Sequence, residues 1–144
     1  MTPEDLRSGA AASGGRPVDW AWQWGPAVAL MAVIFALSSI RNLTTLPGDL
    51  SDKSGHFAGY ALLGALVLRA LARSCWAGVT WPAAFAAWAL CLAYGASDEL
   101  HQWFVPGRTM AFDDWVADAA GAATAIVALR VLASVVRRHR GRTL

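Results

Sequence analysis

Hydrophobic and polar positions in this chain fall into blocks rather than alternating. Four apolar runs stand out, at about 22–40, 56–73, 78–97 and 112–136. Each approaches the roughly 20 residues with which a helix crosses a hydrocarbon core of about 30 Å. The pattern predicts an all-α integral membrane protein, a bundle of four transmembrane helices. Composition agrees: of 144 residues, 56% are apolar and 15% charged, and eight are Trp, which exceeds the apolar content of an ordinary soluble domain and argues against a small water-soluble core.

Charge then sets the orientation. With four spans, the N-terminal segment, the second loop and the C-terminal tail share one side of the membrane. They carry Arg7, Arg16, Arg73, Arg137, Arg138, Arg140 and Arg142, with Arg69 and Arg130 close enough to snorkel the same way. The first and third loops carry only Arg41, Lys53 and Arg108. Because basic flanks are retained in the cytoplasm, both termini are predicted to be cytoplasmic and both polar loops extracytoplasmic. Residues 1–19 are expected to form a flexible tail, 20–136 the membrane domain, and 137–144 a basic tail that meets anionic lipid rather than nucleic acid. Trp20, Trp22, Trp24, Trp76, Trp81, Trp103 and Trp115 lie near predicted helix ends and read as interfacial anchors. Cys75 and Cys91 have no redox or metal spacing and read as packing residues.

Ionisable groups crowd the predicted outer ends of the helices. Lys53, His56, Tyr60 and Gly64 follow helical spacing on the second span; Tyr94, Asp98, His101 and Gln102 do so on the third, provided its helix continues that far; Asp114, Asp118 and Gly121 do so on the fourth. Three polar faces would then meet in one outward cleft. Asp52, Asp113 and Asp114 can instead cap helix starts, and His56 can serve as a bundle hydrogen-bonder. Asp118 is harder to explain as a cap, because it falls a turn inside an Ala-rich span where a lone charge is costly; His56, Lys53 or Arg108 are its expected partners. Arg108 follows a Val105-Pro106-Gly107 turn, and its guanidinium suits either an anionic headgroup or an internal clamp on Asp98, Glu99 or Asp113. Asp98, Glu99, His56 and His101 are of the types that act as general acids and bases. The same groups can ligate a metal, but no recognised ligand spacing is present, and neither a metal nor another cofactor is expected. A Gly-x-Ser-x-Gly elbow and a phosphate loop are both missing, which disfavours a serine hydrolase and a nucleotide-driven pump. Ala117, Gly121 and Ala125, four apart, form a small-residue face on which a second copy can pack.

Taken together, these residues resemble the VanZ-like family of small bacterial membrane proteins. The likeness lies in Ser38-Ser39, Asp52-Lys53-Ser54-Gly55-His56-Phe57, Tyr60, Leu63-Gly64, Tyr94-Gly95, Asp98-Glu99-Leu100-His101-Gln102, Phe104-Val105-Pro106-Gly107-Arg108, and Asp113 or Asp114 with Asp118 and Gly121. It covers about residues 35–125. Position 118 is often Asn in such proteins and is Asp here. The resemblance implies the bacterial cytoplasmic (inner) membrane and a role in the cell envelope, since the founding member is associated with reduced susceptibility to the glycopeptide teicoplanin. It implies no reaction.

Three readings follow. In the leading one, the cleft binds an anionic envelope lipid or peptidoglycan precursor, with Arg108, Lys53, Gln102, Asp114, Asp118 and Tyr60 as contacts. In the second, the protein turns such a lipid over, with Asp98 or Glu99 as base and His56 or His101 as acid. In the third, the polar cluster only fixes helix packing and helix 4 meets a partner subunit.

Overall fold

The computed structural model describes residues 17–40 and 52–141. Residues 1–16 of the expected tail, Arg41, Arg142 and the side chain of Asp52 with its capping role lie outside the described residues, whereas residues 17–19, expected in the tail, belong to the first helix. Among those described there are four α-helices and no strand: α1 (Pro17–Ser38), α2 (Asp52–Leu71), α3 (Trp81–Trp103) and α4 (Phe112–Arg140), with a single 3-10 turn at Trp76–Gly78.

All four helices depart from the predicted runs, and for α3 and α4 the reasons are local. Thr80 caps α3, its hydroxyl accepting the Ala83 N–H at 3.4 Å, with Pro82 in the first turn where no N–H is needed. The helix then runs past Ser97 to Trp103, so the Asp98–Gln102 segment is helical. α4 continues to Arg140, its last turn holding Arg137, Arg138, His139 and Arg140 against the negative end of the helix dipole. Among the described residues, α1, α2 and α4 are long and apolar enough to cross a membrane. α3, at 23 residues, is of comparable length, but its final turns carry Asp98, Glu99, His101 and Gln102.

α2 and α4 form the closest pair, because glycine lets their backbones meet. A methyl group on Gly121 would lie 2.1 Å from the Phe57 carbonyl oxygen, and one on Gly64 would lie 3.0 Å from Ala122 Cα. The small-residue face of helix 4 is therefore occupied at Gly121 by α2 of the same chain. Around this seam Leu63, Val67, Leu68, Ala122 and Ile126 are buried, joined by Cys91 of α3, while Cys75 is exposed.

The two ends of the bundle differ in chemistry. At one end Arg69 donates to the carbonyls of Trp22 (3.1 Å) and Gln23 (3.3 Å) and lies over the Trp22 ring, Arg137 donates to the carbonyls of Trp76 (2.8 Å) and Val79 (3.2 Å), and Arg130 lies over Trp81. These contacts gather the start of α1, the end of α2, the start of α3 and the end of α4. Ser38, Asp98 and Asp114 fall at the other end. Trp115 does not stand as a free interfacial anchor: its indole N–H donates to the Leu92 carbonyl at 3.1 Å, and Trp88 likewise donates to Ala119 at 3.1 Å, so the two rings cross-link α3 and α4.

Gly121→Ala is expected to destabilise the protein by about 2 kcal/mol or more, because a methyl cannot share space with the Phe57 backbone. Gly25→Ala in α1, with nothing within 4 Å of the new methyl, should be neutral or stabilising by up to about 1 kcal/mol. SDS-driven unfolding in detergent micelles measures both.

Candidate functional site

The end opposite the arginines is built from two polar groups of side chains. In the first, the Ser38 hydroxyl at the end of α1 donates to Asp98 Oδ2 at 2.8 Å, Gln102 Nε2 donates to the same oxygen at 3.2 Å, and Arg108 Nη2 donates to Gln102 Oε1 at 3.1 Å. Arg108 thus clamps none of Asp98, Glu99 and Asp113 directly; it reaches Asp98 through Gln102. Its approach over the bundle comes from the Val105–Arg108 turn, closed by the Arg108 N–H on the Val105 carbonyl at 3.1 Å, with Gly107 at φ 87° where a type II turn requires a positive φ.

The second group joins α2, α3 and α4. His56 Nδ1 lies 2.9 Å from Asp118 Oδ1, so with the carboxylate ionised the ring donates to it. Asp118 is only 1% exposed, and this contact supplies the partner that a charge inside an apolar helix requires. Glu99, also buried, accepts the Ala111 N–H on Oε2 at 2.8 Å. Ala111 offers no side-chain cap to α4, so Glu99 takes that role from a neighbouring helix. Gly95 makes room for this arrangement: a methyl there would lie 3.1 Å from Asp118 Oδ2, 3.2 Å from Trp115 Cδ1 and 3.4 Å from Tyr60 Cε1. One ligand-type atom from each of His56, Glu99 and Asp118 falls within 4.8 Å of the others.

Four buried oxygens in this region, Tyr60 OH, Asp98 Oδ1, Glu99 Oε1 and Asp118 Oδ2, have no hydrogen-bond partner among the described residues. Such groups cost free energy in an apolar setting unless something satisfies them. Beside them a crevice of about 220 Å³ opens between α1 and α2. Leu30, Val33, Ile34 and Leu37 form its apolar wall, and Ser38, His56, Tyr60, Asp98 and Arg108 its polar end.

The remaining predicted residues fall at different distances from this centre. Asp114 is buried one turn before Asp118 on the same face of α4. Lys53 forms an ion pair with Asp113 in which both side chains are more than half exposed, a surface contact rather than part of the crevice lining. His101 faces α1, its Nε2 at 2.9 Å from the Ser39 hydroxyl and its ring stacked on Phe35 at 4.2 Å, away from the His56 group. Residue patterns alone did not point to the α1 wall, to Glu99 as the cap of α4, or to Gly95 as the residue that leaves space for Asp118. The one available signal was the polar Ser38-Ser39 pair closing an apolar run.

A family model described as VanZ/LLP1 matches residues 23–133, most of the chain. No curated protein and no solved structure matches.

If the His56–Asp118 contact holds α2 against α4, His56→Ala strands a buried carboxylate and should cost about 3 kcal/mol. The double variant with Asp118→Ala should cost less than the sum of the singles by about 1–3 kcal/mol. A double-mutant cycle by SDS unfolding measures this; additivity within about 0.5 kcal/mol would remove the pair from its central place.

Proposed function

Because the chain belongs to the VanZ/LLP1 family, we propose that it is an envelope protein of the bacterial cytoplasmic membrane whose crevice binds an anionic amphiphile, an envelope lipid or lipid-linked cell-wall precursor. The observation that carries this reading is the grading of the crevice itself. Its apolar wall along α1 suits an acyl or prenyl chain, and the guanidinium of Arg108 lines its polar end, where a phosphate would be held by paired N–H groups. Asp98 in the same lining narrows the choice. Its Oδ2 is already engaged and its Oδ1 has no partner among the described residues, so the favoured headgroup carries a hydroxyl or amide donor as well as the anion.

In this reading α3 is the fourth span and both termini are cytoplasmic. The arginine–tryptophan end supports that orientation, since basic and aromatic residues gather where a helix bundle meets the cytoplasmic interface. The crevice then opens toward the outer leaflet. A link to glycopeptide susceptibility rests on the family resemblance alone, and expression in a teicoplanin-sensitive host tests it.

A second reading, turnover of the bound lipid, is favoured by one observation: His56 is oriented by a buried carboxylate and stands beside a second one, Glu99, a set suited to proton transfer. In it Glu99 or Asp98 acts as base and His56 as acid, with Arg108 holding the anion.

Mass spectrometry of lipids retained by the detergent-purified protein from an envelope extract separates the readings. The wild type is expected to retain an acidic lipid. Arg108→Ala should lose it at least ten-fold, and Arg108→Lys should restore it only in part, because an ammonium lacks the planar fork. Conversion by wild type but not by Glu99→Gln would favour the enzyme, and equal retention by Arg108→Ala and wild type would rule out the proposed anion contact.

A further inference from the structure

His56, Glu99 and Asp118 come from α2, α3 and α4, one residue per helix. One ligand-type atom from each lies within 4.8 Å of the other two. Two ligands of one ion, each at about 2.0–2.2 Å from it, stand roughly 3–4 Å apart, so side-chain shifts of under about 1 Å bring all three onto a common centre. His56 Nδ1 and Asp118 Oδ1, at 2.9 Å, share a proton that an ion would replace, with the two atoms moving apart by about 0.5 Å.

An independent observation points the same way. Each carboxylate is fixed through one oxygen and leaves the other unused: Glu99 Oε2 accepts the Ala111 N–H while Oε1 has no partner among the described residues, and Asp118 Oδ1 meets His56 while Oδ2 has none. Both side chains are more than nine-tenths buried. Gly95 places no side chain next to Asp118 Oδ2. Two buried carboxylates with an imidazole offer two negative charges and three donor atoms. Glu99 is held through its other oxygen by the Ala111 N–H, and His56 can ligate once the proton between Nδ1 and Asp118 Oδ1 is released on metal binding.

We infer that these residues form a divalent metal site. One imidazole nitrogen with two carboxylate oxygens suits Zn²⁺, which accepts three protein ligands and keeps a fourth position open; it does not suit Ca²⁺, which takes six to eight oxygens. His56 also lines the crevice, so the open position faces the region where a bound anion would arrive. Coordination of the amphiphile's phosphate at that position rests on the reading given above; metal binding by the three side chains does not.

The test uses the full chain in detergent micelles, stripped with a chelator, without added lipid, and titrated with Zn²⁺ by calorimetry. The expected result is one ion per chain, with affinity at least ten-fold weaker in Glu99→Gln and in Asp118→Asn and unchanged in His101→Ala. X-ray absorption of the Zn²⁺-loaded wild type, which needs no variant to fold, should show one imidazole with the other ligands oxygen. No stoichiometric uptake by wild type, unchanged affinity in both carboxylate variants, or sulfur or two imidazoles around the ion would overturn the site. Zn²⁺ uptake without lipid retention would leave the metal site standing and sink the amphiphile reading. Lipid retention without uptake would sink the metal site alone.

Discussion

The arrangement depends on one constraint: a carboxylate placed inside the apolar helix α4 must be paired. Asp118 finds His56 at 2.9 Å, and that contact is possible only if α2 lies directly against α4. The glycines make the approach possible, with Gly121 under the Phe57 carbonyl and Gly64 over Ala122. Once the two helices are in contact, α3 has to pass Asp118 without a side chain in the way, which Gly95 allows, and it returns an acceptor to the unprotected start of α4 through Glu99. Packing and chemistry are therefore not separable at this end of the bundle, where the residues that close the helices together are those that carry charge.

The opposite end is organised on another principle. Arg69 and Arg137 satisfy carbonyl groups at helix ends and turns, and Arg69 and Arg130 rest on tryptophan rings. Arg69 and Arg137 lie in the last turns of α2 and α4, where a cation complements the helix dipole. One end thus anchors through contacts within the protein, with Arg130 Nε the one buried side-chain polar atom there that has no hydrogen-bond partner among the described residues. The other leaves four buried oxygens without hydrogen-bond partners among the described residues, next to a crevice. Natural proteins retain costly groups of that kind where function requires them.

Much of the fold was legible because the chemical signal was strong. Helices 20 or more residues long are written in blocks of apolar residues, and Asp118 was marked as needing a partner by the apolar residues around it. Helix ends were less legible: the start of α3 depends on the Thr80 hydroxyl, and its continuation through Asp98–Gln102 depends on neighbours from α1 and α4 that satisfy those side chains. Within the site, helical spacing grouped His101 with Asp98, yet a helix face is broad enough for Asp98 to point inward while His101 turns toward Phe35 and Ser39. Lys53 matched the face of His56 and Tyr60 but found Asp113 at the surface instead. The sequence offered His56 as one of three partners for Asp118, but the addition of Glu99 to that pair could not be read from spacing, because each residue lies on a different helix and only the packing of three helices brings them together. Trp115 matched the expectation for an interfacial anchor by position alone, and only the Leu92 carbonyl shows its cross-linking role.

The proposed orientation, with the charged site outward and the arginine end toward the cytoplasm, can be reported by two cysteines in one protein. Cys75 is exposed beside Trp76 at the arginine end, Cys91 is buried, and Thr109 is exposed next to Arg108 at the site end. In bacterial spheroplasts treated with a membrane-impermeant maleimide, Thr109→Cys should be labelled at once and Cys75 only after the membrane is permeabilised. Labelling of Cys75 in intact spheroplasts, with position 109 protected until permeabilisation, would contradict the account.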